Sequence, residues 1–158
     1  MEFLRYTHLF YFLATWIYVF IFIKPKRIKE LIPAAVLGFI VLSTVDFYIV
    51  SLGLYQYNKP LFNIFGAPLF HLLWGGGAAI VYMHYMKQGF TRKFVNVVLF
   101  TMITLAFEFI SEKAGVAQRL GKYDFLHSAL LDFAALVVLL WIAEGLYGNR
   151  IYRDWKDW

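Results

Sequence analysis

The apolar residues of this chain fall into five long runs, separated by segments too short to fold by themselves. A bilayer core of roughly 30 Å takes about 20 helical residues to cross. A chain of 158 residues that spends itself on five such runs therefore has room for little else. The expected fold is all-α: one transmembrane domain over 1–158, a polytopic bundle of about five helices at 9–23, 31–54, 69–86, 94–111 and 125–147.

Composition supports this reading. The chain is 61% hydrophobic and 21% aromatic, only 16% charged, with a mean hydropathy of +0.63. A single water-soluble core of this size could not hide that much apolar surface, so lipid must be the main solvent. No room is left for a separate soluble catalytic domain. The net charge of +5 does not point to nucleic acid, because the basic residues sit in short clusters between apolar runs, where they report orientation. No cysteine is present, which excludes thiolate chemistry and Cys-ligated metals. Nothing in the sequence names a cofactor.

Positive charge is retained on the cytoplasmic side of a membrane. The first run has only Arg5 ahead of it, and Lys24, Lys26, Arg27 and Lys29 directly after it. That polarity is the reverse of a signal peptide's, so the run is expected to be a retained helix with the amino end outside. With Lys87, Arg92, Lys93, Arg150, Arg153 and Lys156, ten of the 15 basic residues fall on the cytoplasmic side, carboxyl end included. Arg5, Lys59, Lys113, Arg119 and Lys122 fall outside.

An ionisable group inside a bilayer costs several kcal/mol unless it faces protein, water or a partner. At about 1.5 Å per residue, Asp46 and Glu108 lie in the outer third of the second and fourth helices, and Glu112 near the outer boundary. His71, His127 and Asp132 fall in the first two turns of helices that enter from outside, and His8 opens the first helix on that side. Four carboxylates and up to three imidazoles thus converge on one layer under the outer surface. That layer is the candidate binding site: Glu108, Glu112, Asp46, His71, Asp132 and His127, with Glu108 or Asp46 as the candidate general acid of an enzyme. On the fourth helix Thr101, Thr104, Glu108, Ser111 and Glu112 recur at three- and four-residue intervals and share a face. Buried carboxylates also serve as hydrogen-bonding glue between helices. Glu108 and Glu112, as adjacent like charges in low dielectric, are harder to explain as packing. A divalent cation held by Glu108, Glu112, Asp46 and His71 would neutralise them, although no familiar ligand spacing is present.

Two further features stand out. Gly75, Gly76 and Gly77 interrupt the third helix, read either as close packing through Gly75 and Ala79 or as a locally unwound ligand site. The tryptophans Trp16, Trp74, Trp141, Trp155 and Trp158 are expected to anchor at the membrane interface. Toward the cytoplasm, His84 and Glu144 are read as an interfacial ion pair.

From about residue 66 to 147 the order of features resembles a family of small, functionally uncharacterised polytopic membrane proteins of Bacillus and related spore-forming Firmicutes. The matching elements are Pro68 and Leu69 opening a helix, Tyr82 near its far end, a short basic loop, Glu108 followed by Gly115, and Ser128 in the last helix. His71 stands where that family has an acidic residue. The resemblance implies a multi-pass protein of a bacterial plasma membrane, and no activity. In outline the chain is also similar to the translocator-protein group, which binds tetrapyrroles and sterols, without its Trp-Tyr and Lys-Pro-x-Trp signatures.

Three functions are compatible with these residues. The chain binds, or transports, a small molecule, lipid or ion through the polar layer; or it is an enzyme acting on a lipid or isoprenoid; or it is a structural subunit of a membrane complex. The expected partners are membrane lipids, a lipid-like or small-molecule ligand, and a second copy or another membrane protein.

Overall fold

The computed structural model describes residues 3–152. Five helices account for most of them: α1 (Thr7–Phe22), α2 (Pro25–Ser51), α3 (Leu69–His84), α4 (Phe90–Lys113) and α5 (Phe125–Tyr147). Short 3-10 turns precede α1 and follow α5. Of these, α2, α4 and α5 are each long and apolar enough to cross a membrane, while α1 is a shorter apolar helix. Large hydrophobic side chains cover the outside of the bundle, among them Ile21, Phe22, Phe90, Leu130 and Trp141, each more than 60% exposed. A surface of that kind is compatible with an integral membrane protein, in which lipid replaces water around the bundle.

The helix bounds differ from the sequence expectation mainly at the basic clusters. Pro25 sits at the start of α2, where a missing N–H is no loss, so Lys26, Arg27 and Lys29 belong to its first two turns. Buried Arg27 donates to the carbonyls of Ile151 (2.7 Å) and Arg150 (3.3 Å) and pairs with Glu30. One charge of the cluster thus fixes the end of the chain's helical part. Farther along α2, Pro33 stands inside the helix, and the N–H of the next residue, Ala34, donates to the Tyr147 hydroxyl of α5 at 3.1 Å.

At the centre, α3 packs on α1 and α2, while α4 packs on α5. The three glycines make α3 a buried helix. An added Cβ at Gly38 of α2 would lie 2.3 Å from the Ala79 Cβ and 2.7 Å from the Gly75 carbonyl oxygen. Gly76 stands against the Ala35 backbone and Gly77 against Thr15 and Trp16 of α1. Helix α3 runs unbroken through all three, so close backbone approach is their role, and the unwound-helix reading is overturned.

The two segments read as outer loops are tied to each other. Strand β1 (Tyr55–Tyr57) pairs antiparallel with β4 (Ala117–Arg119), placing Tyr55 opposite Arg119 and Tyr57 opposite Ala117. Backbone bonds from Asn58 to Val116 and from Leu120 to Leu54, each 2.8 Å, extend the ladder. A smaller hairpin, β2 (Asn63–Ile64) with β3 (Ala67–Pro68), leads into α3. This paired lid covers one end of the helices and fixes what lies beneath it. At the other end Glu144 pairs with Lys93 at 2.5 Å and meets the Tyr152 hydroxyl, the partner that replaces His84 in the expected pair being a lysine of α4. Arg153, Trp155, Lys156 and Trp158 lie outside the described residues.

Candidate functional site

Beneath the lid the helices enclose a cavity of about 80 Å³. Every helix contributes to its wall: His8 and Tyr11 from α1, Asp46 from α2, His71 and Trp74 from α3, Thr104, Glu108 and Ser111 from α4, Asp132 from α5. Tyr55 and Tyr57 of β1 close it from above. Helical spacing explains the convergence, because Thr104, Glu108 and Ser111 succeed one another at four and three residues along one face of α4.

Three carboxylates therefore share one chamber, and each is held differently. Asp46, 3% exposed, has its Oδ2 atom 3.2 Å from the Nε2 atom of His71. Asp132 accepts a hydrogen bond from the Thr104 hydroxyl at 2.8 Å. Glu108 accepts from the Ser128 hydroxyl at 3.0 Å and pairs with the Arg119 guanidinium at 3.3 Å.

Arg119 is the residue that sequence reasoning missed, counting it only among the basic residues of the outer side. Its guanidinium reaches inward from β4 to Glu108 and, at 3.1 Å, to Glu112; its own N–H donates to Glu112, and its Nε to Ser128. The two glutamates that looked like uncompensated neighbours are thus bridged by one cation. Period-two alternation in β4, with Ala117 buried, Gln118 exposed and Arg119 again turned in, is the signal that would have found it.

Glu112, spent on Arg119, does not line the chamber. His127 lies apart from it too: exposed, it forms the reciprocal half of a capping box with Asp124 at the start of α5. Of the six residues expected to form a site, the structure brings four together, Asp46, His71, Glu108 and Asp132.

Aromatic rings make up the rest of the wall. His71 stacks on Trp74 with centroids 5.5 Å apart, and Trp74 meets Phe107 edge-on at 5.4 Å. Trp74 is 6% exposed and so is a wall of the chamber, where an interfacial anchor was expected. Tyr57 faces both His8 and His71. Burial, reinforced by the nearby carboxylates, pushes the phenols of Tyr55 and Tyr57 well above their ordinary range. Both hydroxyls consequently stay protonated and able to donate at any physiological pH.

The hydrogen-bonding capacity of the chamber is not used up by the protein. Both ring nitrogens of His8, itself 5% exposed, are buried without a hydrogen-bond partner among the described residues, as is Trp74 Nε1. A buried polar atom left unpaired costs on the order of 1–3 kcal/mol, so these atoms mark where a polar occupant belongs. Among the described residues no three His, Asp or Glu side chains are placed to share a metal ion. The four-residue divalent site considered above is not assembled, since Glu112 is turned to Arg119.

Fold and site together define a helical bundle, compatible with a membrane, that encloses an acidic chamber under a small β lid. No protein-family model matches the chain, and no curated protein or solved structure matches it.

Proposed function

We propose that this chain is a multi-pass protein of a bacterial plasma membrane, its amino end and lid outside, its basic loops and carboxyl end in the cytoplasm. We further propose that its chamber binds a small cation bearing N–H donors, an ammonium ion or a short primary amine. The observation that carries this reading is the pair of buried, unpaired ring nitrogens of His8 in a chamber lined by three carboxylates, of which Glu108 is the one paired with Arg119.

The charge balance favours a cation. Asp46, Glu108 and Asp132 line the wall; Arg119 serves Glu108 and Glu112, His71 stands beside Asp46, and Asp132 has only the Thr104 hydroxyl among the partners described. Like charges in low dielectric repel, and a positive occupant relieves that repulsion. Size sets the class of ligand: about 80 Å³ holds a few water-sized groups and is far too small for a sterol or tetrapyrrole. Carboxylate oxygens and the one acceptor nitrogen of a neutral imidazole take hydrogen bonds from N–H donors. This chemistry supports binding; an acid-catalysed lipid reaction would need the substrate to enter a chamber of this size.

The test is thermal unfolding of the purified protein in nanodiscs, titrated with ammonium, methylammonium, sodium and potassium chlorides. A ligand of the folded state raises Tm by mass action. Ammonium or methylammonium is expected to raise Tm beyond the matched sodium and potassium controls, and Asp46→Asn with Asp132→Asn to abolish the difference. Equal response to all four salts, or an effect undiminished in the double variant, would overturn the proposal.

A further inference from the structure

A second cavity, ten times larger, lies on the other side of the Trp74 and Phe107 rings, with a volume of about 800 Å³. It is the gap between α1 and α4. These helices touch near the lid, where Ser111 donates to the Tyr11 hydroxyl and Tyr11 meets the Phe107 ring, and then separate. The floor between them is α3, through Trp74, Ala78, Val81 and Tyr85. At the far end the hydroxyls of Tyr18 and Tyr85 hydrogen-bond at 2.5 Å and hold α1 on that floor.

The two ends of this crevice differ in charge. Its walls are mostly aliphatic and aromatic, with Thr15, Asn96 and Thr104 among them; Lys87 and Arg92 stand at its mouth, and the acidic chamber lies behind its inner end. Arg92 is exposed and makes no ion pair among the described residues, whereas the described carboxylates of that side, Glu30 and Glu144, are paired with Arg27 and Lys93. From Arg92 to Phe107 along α4 is 15 residues, about 22 Å, more than the roughly 15 Å depth of one leaflet's hydrocarbon.

We propose that the crevice holds one chain of an anionic phospholipid, its phosphate at Arg92 and Lys87 and its hydrocarbon end against Trp74 and Phe107. Charge fixes the orientation. A phosphate is attracted to the basic mouth, and the carboxylates behind the Trp74 wall repel it from the inner end. Walls that are apolar over most of their area suit a hydrocarbon chain. This site is separate from the cation chamber, and its test does not depend on that proposal.

Native mass spectrometry of the detergent-purified protein, loaded with equal amounts of phosphatidylglycerol and phosphatidylcholine of identical chains, reads the retained lipid directly. One phosphatidylglycerol is expected to stay bound preferentially. Arg92→Gln should lower that preference about fivefold, the worth of one basic residue near a phosphate. Ala14→Phe fills the crevice from α1, and Val95→Trp fills it from α4. Both positions are exposed in the bundle, and each should displace the lipid whatever its headgroup. Equal retention of the two lipids by the native protein would mean annular lipid only and would overturn the proposal. Retention unchanged by Arg92→Gln, or by both filling variants, would do the same.

Discussion

At the residue scale the site depends on one cation. Arg119, with its side chain 13% exposed, is within 3.3 Å of Glu108 and 3.1 Å of Glu112. Removing one partner of a buried pair leaves charge uncompensated, typically at a cost of about 3 kcal/mol or more. Arg119→Ala is therefore expected to lose roughly 3 kcal/mol in chemical unfolding in micelles, and Glu112→Gln in the same background to recover part of it. Asp124 offers a pH test outside the membrane-spanning segments. Its carboxylate, at the head of α5, accepts from the His127 N–H, and that bond with the His127 side chain holds it below the usual carboxylate range. A group depressed in the folded state contributes stability above its unfolded pKa, and this is lost as pH falls through the lower folded value. Asp124→Ala should thus lower Tm at neutral pH, with the gap to the native protein closing as the solution becomes more acidic than the carboxylate range. Asp124→Asn, a good cap without a charge, should stay near native in Tm at neutral pH and lose less than the native protein as the solution is acidified, because its amide does not titrate.

The elements are decided by how closely their backbones approach. Helix α3 is wedged between α1 and α2 only because Gly38, Gly75, Gly76 and Gly77 lack side chains. Gly38→Ala should cost about 1–3 kcal/mol through overpacking, measured by unfolding in mixed micelles. Ala79→Gly in the same chain should restore part of that loss, because it removes the 2.3 Å contact but leaves the Gly75 carbonyl at 2.7 Å. Small-residue spacing offered close packing as one of two readings of the glycine triplet, and the unbroken α3 decided between them. The lid was not, since β1 and β4 are three residues each and lie 62 positions apart at Gln56 and Gln118. Local patterning carries no information about which short strand a short strand will meet.

For the whole molecule the proposed orientation makes a direct prediction, and a chain without cysteine makes it simple to test. A single cysteine at Lys122, beside the lid, should react with a membrane-impermeant maleimide on intact cells. One at Gln88, in the turn between α3 and α4, should react only after permeabilisation. The opposite pattern would mean that the basic clusters face outward and that the bundle is inverted.

Apolar periodicity and run length, read without any tertiary information, are enough to give five helices in their order, because a helix in lipid satisfies its own backbone and needs no distant partner to exist. The same spacing brought Asp46, His71, Glu108 and Asp132 to one depth, since depth follows from residue count along a helix. Which side chains face one another around a helix axis does not follow from depth. Only packing turned Glu112 and Arg119 toward each other, left His127 outside as a cap, and opened α1 from α4 below Tyr11. Charge balance in the chamber was likewise decided by a strand pairing between distant loops, which places Arg119 over Glu108. Contacts of that range depend on the whole fold having formed.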